Sequence, residues 1–446
     1  MHLLKVSRPL LLGSVLMAAT SSGGASGRAV EIAIKDRANA NASLAASGRF
    51  AALVWSVSTK EGATDIHVAT SRDGGRTFAA PTRVNRAAGE ASASGEQPPR
   101  VALIPNAGGD PSIAVVWTAR GAAGTRLLSA RSDDGGKSFT ASAPVPGSEA
   151  SGNRGWASIA TNGEGAVVAL WLDHRELATG KSGAAAMSHA QHLHEAAAAQ
   201  QTDGVARAQL SKLFFSRLGS PDSARALTGG VCYCCKTTIA AGRDGAVYAA
   251  WRHVYPGNIR DVAFSMSADG GRTFTPPVRV SEDQWVLDGC PENGPAVAVD
   301  ASNRIHVVWP TLVSDATAAS EPTLALFYAT SADGRRFTPR QRIPTEGVPR
   351  HPQIAAGPHG DFVVVWDEQA GGTRHVALAR GSVDSGGAAR FARQGIDDAG
   401  YTVYPVVAAA GDDTIVAWTS GLAVRSVVRA ERLEDRPPAT PAIHHR

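Results

Sequence analysis

Ser71-Arg-Asp73-Gly-Gly75-Arg-Thr-Phe78 recurs as Ser132-Asp-Asp134-Gly-Gly136-Lys-Ser-Phe139 and Ser267-Ala-Asp269-Gly-Gly271-Arg-Thr-Phe274, and one residue short as Ser331-Ala-Asp333-Gly-Arg-Arg-Phe337. Self-similarity of this kind marks a repeat protein. The phrase carries the chemistry of a hairpin turn: Ser and Asp side chains bond their own backbone, paired glycines accept positive φ, and the aromatic folds back into an apolar layer.

A second repeat runs between these turns. Apolar strands end in tryptophan at Trp55, Trp117, Trp171, Trp251, Trp309, Trp366 and Trp418. Continuous apolar runs are strands buried on both faces. A shorter strand precedes each, such as Arg100 to Leu103, Ala157 to Ala160, Ala296 to Val299 and Gln353 to Ala355. A third follows, such as Leu127 to Arg131 or Leu326 to Thr330, then the turn phrase and a fourth strand such as Val278 to Val280. The tryptophans recur at intervals of 52 to 62 residues, except for 80 between Trp171 and Trp251. Each interval fits one four-stranded meander, and the long one carries an insertion. The last unit lacks a fourth strand, which the segment from Ala29 to Lys35 can supply from the other end of the chain. The expectation is an all-β propeller of seven four-stranded blades closed by the N-terminal strand; six blades and an appended hairpin is the alternative.

The phrase S-x-D-x-G-x-x-F resembles the Asp box of bacterial neuraminidase repeats, found in sialidase-like β-propellers. The likeness covers nearly the whole chain after its leader at the level of the repeat. It implies that the four boxes are fold devices lying on one face of the disc. Ligands of such rings bind at the other face, around the central channel.

Residues 1–27 read as a secretory signal: Lys5 and Arg8, the apolar run Leu10 to Ala19, then small residues up to Gly27. The apolar run is too short for a mature anchor, so no membrane span is expected in the mature chain. The propeller should then occupy 28–433, and the proline-bearing stretch 434–446 should be a disordered tail. The expected location is the periplasm or the exterior, as a monomer. Formal charge is +4, or +2 without Lys5 and Arg8, which argues against a nucleic-acid surface.

All four cysteines fall in loops leading into inner strands: Cys232, Cys234 and Cys235 in one, Cys290 in the next. They should converge. In an exported chain an even count suggests disulfides, while clustered thiols also suit a soft metal, copper or zinc; a reactive free thiol is a third reading. The insertion, about 176–213, is alanine-rich and helix-prone. It places His189 and His192 on one helical face, where they could join the thiols as metal ligands, or stand idle on a solvated lid.

The loops on the same face also hold Gln97, Lys236, His351, Tyr404, and, after the tryptophans, Asp173-His174-Arg175, Arg252-His253 and Asp367-Glu368. If the resemblance extends to exo-alpha-sialidase chemistry, Arg100, Arg154 and Arg350 would clamp a substrate carboxylate, Tyr401 paired with Glu292 would attack, and Asp173 would be the acid. The family's Arg-Ile-Pro signature has no counterpart near the N terminus; Arg342 to Pro344 follows the fourth box instead. Three readings stay open: a propeller holding a ligand or soft metal at its cysteine-rich rim, a glycoside hydrolase of exo-sialidase type, and a disulfide-stapled scaffold for protein or glycan contacts.

Overall fold

The computed structural model describes residues 29–179, 204–287, 289–314, 321–357, 360–396, 398 and 400–434. It is a ring of seven four-stranded antiparallel sheets. The inner strands of blades 1 to 7 are Ala38–Ser47, Arg100–Ile104, Arg154–Thr161, Thr238–Ala241, Ala296–Val299, Val348–Ala356 and Thr402–Ala410. The outermost strand of blade 7 is Val30–Ile32, paired antiparallel with Val427–Leu433 so that Val30 faces Ala430 and Ile32 faces Val428. Both ends of the chain therefore close one blade, and the seventh sheet is a full blade.

The second strand of each blade forms the core. Every residue of Val167–Asp173 is buried, as are all but the last of Phe50–Ser58. The seven strand-ending tryptophans are all at most 2% exposed. Burying an indole of that size is worth roughly 4–6 kcal/mol in transfer terms, so one per blade is the largest repeated contribution to the ring. Buried indole N–H groups need acceptors, and for six of the seven a polar side chain supplies one. Trp55 donates to Asn39 (3.1 Å), Trp171 to Asp173 (3.3 Å), Trp366 to Glu368 (3.0 Å) and Trp418 to Asp398 (2.9 Å).

The Asp boxes are hydrogen-bonded turns between third and fourth strands. In the first, Ser71 donates to Asp73 (2.7 Å), while the Gly75 N–H donates to Ser71 Oγ and the Thr77 N–H to Asp73 Oδ1. The same pattern recurs at Asp134 and Asp269. The second glycine of each full box is also a joint between blades. At Gly271, φ is +93° and a Cβ would stand 2.3 Å from the Phe215 ring of the preceding blade.

Among the described residues the insertion begins with a short helix, α1 (Arg175–Thr179), and carries a second near its end, α2 (Gly204–Gln209). The third strand of blade 3 starts at Lys212, inside the span assigned to the insertion. His189 and His192, the leader 1–27 and the tail from 435 onward lie outside the described residues. Among the described residues no helix is long and apolar enough to cross a membrane.

One irregularity bears on function. Four inner strands carry a register shift near their beginning, in blades 1, 3, 6 and 7. At each shift a non-glycine residue adopts a left-handed backbone: Asn41 (φ 58°), Trp156 (54°), His351 (52°) and Tyr404 (52°). Such residues cost about 1–3 kcal/mol each and persist where the surroundings over-determine them, commonly at functional sites. A β-bulge re-aims a side chain, and here the device recurs at one level of the ring.

Candidate functional site

The inner strands enclose a central cavity of about 180 Å³, with residues from all seven blades on its wall, among them Ser43, Arg100, Ser158, Lys236, Val297, Gln353 and Val406. Two cations project into it. Arg100 also donates through Nε to the Ala157 carbonyl at 2.6 Å, and Lys236 donates to the Pro352 carbonyl at 3.3 Å. Burial brings the Lys236 ammonium down to about 8, with Arg100 adding to the effect and Glu96 opposing it. Burial likewise lowers Arg100 to about 10.

Toward the face where the inner strands begin, the cavity narrows between Gly95, His351 and Tyr404. Here a buried chain of polar groups draws on four blades. Glu96, in the loop before the inner strand of blade 2, accepts from the Lys236 N–H at 3.2 Å and lies 3.8 Å from His351 Nε2. The other imidazole nitrogen of His351 is 2.6 Å from Asp367 Oδ1. Asp367 also takes the Tyr404 N–H at 3.4 Å and faces Arg374 at 3.4 Å. The Tyr404 ring packs against His351 at a tilt of 35°, ring centroids 4.2 Å apart. Burial pushes the Tyr404 hydroxyl up, reinforced by Glu96 and Asp367. Gly95 is obligatory for this arrangement: a Cβ there would lie 1.8 Å from the Tyr404 ring. An imidazole hydrogen-bonded to one carboxylate and near another is suited to holding and moving a proton. The two cations below it are suited to an anion.

The residues expected for sialidase chemistry are distributed otherwise. Arg100 is in the channel. Arg154 and Asp173 are both fully buried and pair with each other at 3.1 Å. Asp173 further accepts from Arg175 and from the Trp171 indole, so its two oxygens are saturated by blade 3 itself. Arg350 is half-buried and stands opposite Asp367 in the strand register of blade 6. Tyr401 is half-buried near the start of blade 7, where its carbonyl accepts from Gly421; the tyrosine at the channel mouth is Tyr404. Glu292, with φ 48°, adds to the field that raises Tyr404.

The four sulfurs converge beside the channel. Cys234 and Cys290 form a disulfide joining blades 4 and 5, and Cys232 and Cys235 are free and buried. The Sγ atoms of Cys232 and Cys235 are 3.4 Å apart, and those of Cys232 and Cys234 3.8 Å. Arg260 Nη1 donates to Cys232 Sγ at 3.2 Å. Burial alone would raise the Cys232 thiol, but the Cys235 hydrogen bond and the Arg260 and Arg252 charges outweigh it and bring it down to about 6. Burial and the Cys232 sulfur push Cys235 well above the usual thiol range. Ala208 of α2 belongs to the same buried cluster, so the end of the insertion covers the thiols.

Of the polar chain, Lys236, His351, Tyr404 and Asp367 are all in loops the repeat phase assigns to this face, without any mark separating them from their neighbours. Glu96 has no signal of its own in the chain; the nearest is the adjacent Gly95, whose bare backbone makes room for Tyr404.

No family model matches the sequence, and no curated protein matches it. Solved structures share the fold. A protein of unknown function from Dyadobacter fermentans is 12% identical with a TM-score of 0.52, over 92% of this chain and 99% of that one. Polysaccharide lyase Uly1 is 9% identical with a TM-score of 0.52, over 89% and 90% of the two chains. An ulvan lyase is 10% identical with a TM-score of 0.51, over 90% and 95%. Sialidases are also among the similar structures. The chain thus shares its β-propeller fold with the Dyadobacter fermentans protein and the two lyases. At these identities it is the fold that is shared.

Proposed function

We propose that this chain is a carbohydrate-directed propeller that takes an anionic sugar at the mouth of its central channel. One observation carries the reading: Arg100 and Lys236 face a single cavity directly beneath the Glu96–His351–Asp367 chain and Tyr404. The cations would hold a carboxylate, and the histidine with its two acids would carry a proton at the adjoining position. The named polysaccharide lyases of the same fold support a sugar as the ligand class. Whether the bound sugar is cleaved depends on access of a glycosidic oxygen or a ring proton to His351.

The test is a titration of the purified chain with hexuronic-acid and sialic-acid oligosaccharides and a neutral control. The acidic sugars should bind, and the double variant Arg100→Met, Lys236→Met should lose that binding while keeping its fold. Equal affinity for the neutral sugar, or unchanged binding by the variant, would remove the reading. Catalysis is checked on the same sample with a fluorogenic sialoside, for which His351→Gln and Tyr404→Phe are the informative variants. Release of an unsaturated uronate would mark a lyase.

A soft-metal role at the rim is a second reading, motivated by the sulfurs of Cys232, Cys234 and Cys235 lying within 4.8 Å of one another. Two of them are thiols able to bind copper(I) or zinc as thiolates. Elemental analysis beside a thiol count tests it: stoichiometric metal with both thiols masked supports it, and metal-free protein with two titratable thiols does not.

A further inference from the structure

Cys232 and Cys235 stand in C-x-x-C spacing with their sulfurs 3.4 Å apart, and a third sulfur, Cys234, touches the pair from a disulfide with Cys290. The positions are unequal. Cys232 and Cys235 are deeply buried, whereas Cys290 is partly exposed at the rim. The setting of Cys232 is specific too. Arg260, which donates to it, is itself held by the Leu287 carbonyl at 2.7 Å, and its third nitrogen is buried without a partner. Arg252, the second cation near Cys232, is fixed by three backbone carbonyls, those of Asn293, Arg260 and Pro310. A rigid guanidinium against a sulfur is the arrangement that stabilises a thiolate, the attacking species in disulfide exchange.

We propose that Cys232 and Cys235 form a redox-active dithiol that exchanges an electron pair with the Cys234–Cys290 disulfide, making the rim a site for thiol–disulfide exchange with a disulfide-bearing partner molecule. The Cys232 thiolate attacks Cys234 Sγ; a Cys232–Cys234 bond forms, the Cys234–Cys290 bond breaks, and Cys290 leaves as thiolate and takes up a proton. Cys235 then gives up its proton and attacks Cys232 Sγ, forming Cys232–Cys235 and releasing Cys234, which is protonated in turn. One disulfide replaces another, so this internal step needs no outside oxidant. It transfers two reducing equivalents from the buried pair to Cys234 and Cys290. An external disulfide attacked by Cys290 is then reduced to two thiols as Cys234 resolves the mixed disulfide and the rim bond re-forms. An external dithiol then reduces the re-formed rim bond, and the internal exchange run in reverse returns Cys232 and Cys235 to thiols, which completes the cycle. The site is distinct from the channel that would hold a sugar.

The experiment uses the full chain equilibrated across glutathione buffers of graded thiol-to-disulfide ratio. Samples are acid-quenched, alkylated before and after reduction with two mass labels, and mapped by peptide mass spectrometry. The expected result is a window in which a Cys232–Cys235 bond appears together with a labelled Cys290. Cys232→Ser should abolish that labelling, and Cys235→Ser should accumulate the Cys232–Cys234 bond. Far-ultraviolet dichroism confirms that both variants keep the fold; if either is unfolded, the wild-type labelling pattern alone decides. The proposal is overturned if Cys234–Cys290 persists throughout the range with Cys232 and Cys235 always labelled as thiols. It is equally overturned if one copper or zinc ion per chain masks both thiols.

Discussion

His351 Nδ1 and Asp367 Oδ1 lie 2.6 Å apart at the channel mouth, joining the inner strand of blade 6 to the end of the tryptophan strand beside it, with both side chains almost wholly buried. Breaking a buried pair by deleting one member leaves its partner uncompensated, at a cost of about 3–5 kcal/mol. Asp367→Ala should lower stability by about that amount in urea unfolding. The surface pair Arg72–Asp110, with side chains 48% and 40% exposed, is the internal control. Asp110→Ala should change stability by less than about 1 kcal/mol. Equal effects of the two substitutions would mean that the mouth is not a rigid network.

Stability should fall in two stages as pH drops. Burial, with the Arg279 charge aiding at His253, brings His174 and His253 down to about 4 in the folded chain. Their unfolded forms take up protons near pH 6.5, so the unfolded state binds more protons between 6.5 and 4 and stability declines through that window. The loss is on the order of 3 kcal/mol for His174. At Asp73 burial opposes ionisation, but hydrogen bonds from Thr77 and Ser71 prevail and hold the carboxyl at about 2. Its contribution is present above its unfolded value and is lost between about pH 4 and 2. Urea midpoints measured from pH 7 to 2 check both stages; His174→Gln should reduce the first, leaving the part that His253 contributes, and leave the second unchanged.

Two glycines separate turn conformation from packing. Gly271 (φ +93°) presses on Phe215, whereas Gly257 (φ +78°) has nothing within 4 Å of where its Cβ would be. Gly257→Ala should cost only the left-handed strain of about 1–2 kcal/mol. Gly271→Ala adds overpacking of about 1–3 kcal/mol at the blade joint. Thermal melts of the two variants should therefore differ, Gly271→Ala melting lower.

The Cys234–Cys290 bond closes a loop with a sequence separation of 56. Loop-closure entropy then gives a stabilisation of about 4 kcal/mol. Cys290→Ser should lower the denaturation midpoint accordingly. Mild reduction of the wild type should reproduce the loss, and re-oxidation should restore it.

Much of the ring is legible in the chain because its repeats are local. The Asp box is built from contacts within eight residues, so Ser71, Asp73, Gly75 and Thr77 spell out their own hydrogen bonds. The tryptophan strands reveal themselves by unbroken hydrophobicity, which follows from burial on both faces. Even the closure of blade 7 by Val30–Ile32 could be anticipated, since six paired blades and one incomplete blade leave a free edge for the N-terminal segment.

The site is not local, and that is why it resisted the same reading. Glu96, Lys236, His351, Asp367 and Tyr404 come from four blades, and nothing in their neighbours along the chain distinguishes them from other polar loop residues. Asp173 and Arg154 look as reactive as any of them in one dimension; folding makes them a buried pair that serves blade 3. The convergence of the cysteines follows from the phase of the repeat, but their division into a disulfide and a dithiol does not, because pairing is a matter of which sulfurs face each other across two loops. The sequence by itself determined the number of blades, the closure and the face on which the polar loops before the inner strands gather, through period and burial. Only tertiary structure decided which charges meet at the channel, because burial and distance across blades, rather than position along the chain, set how each group titrates and what it can bind.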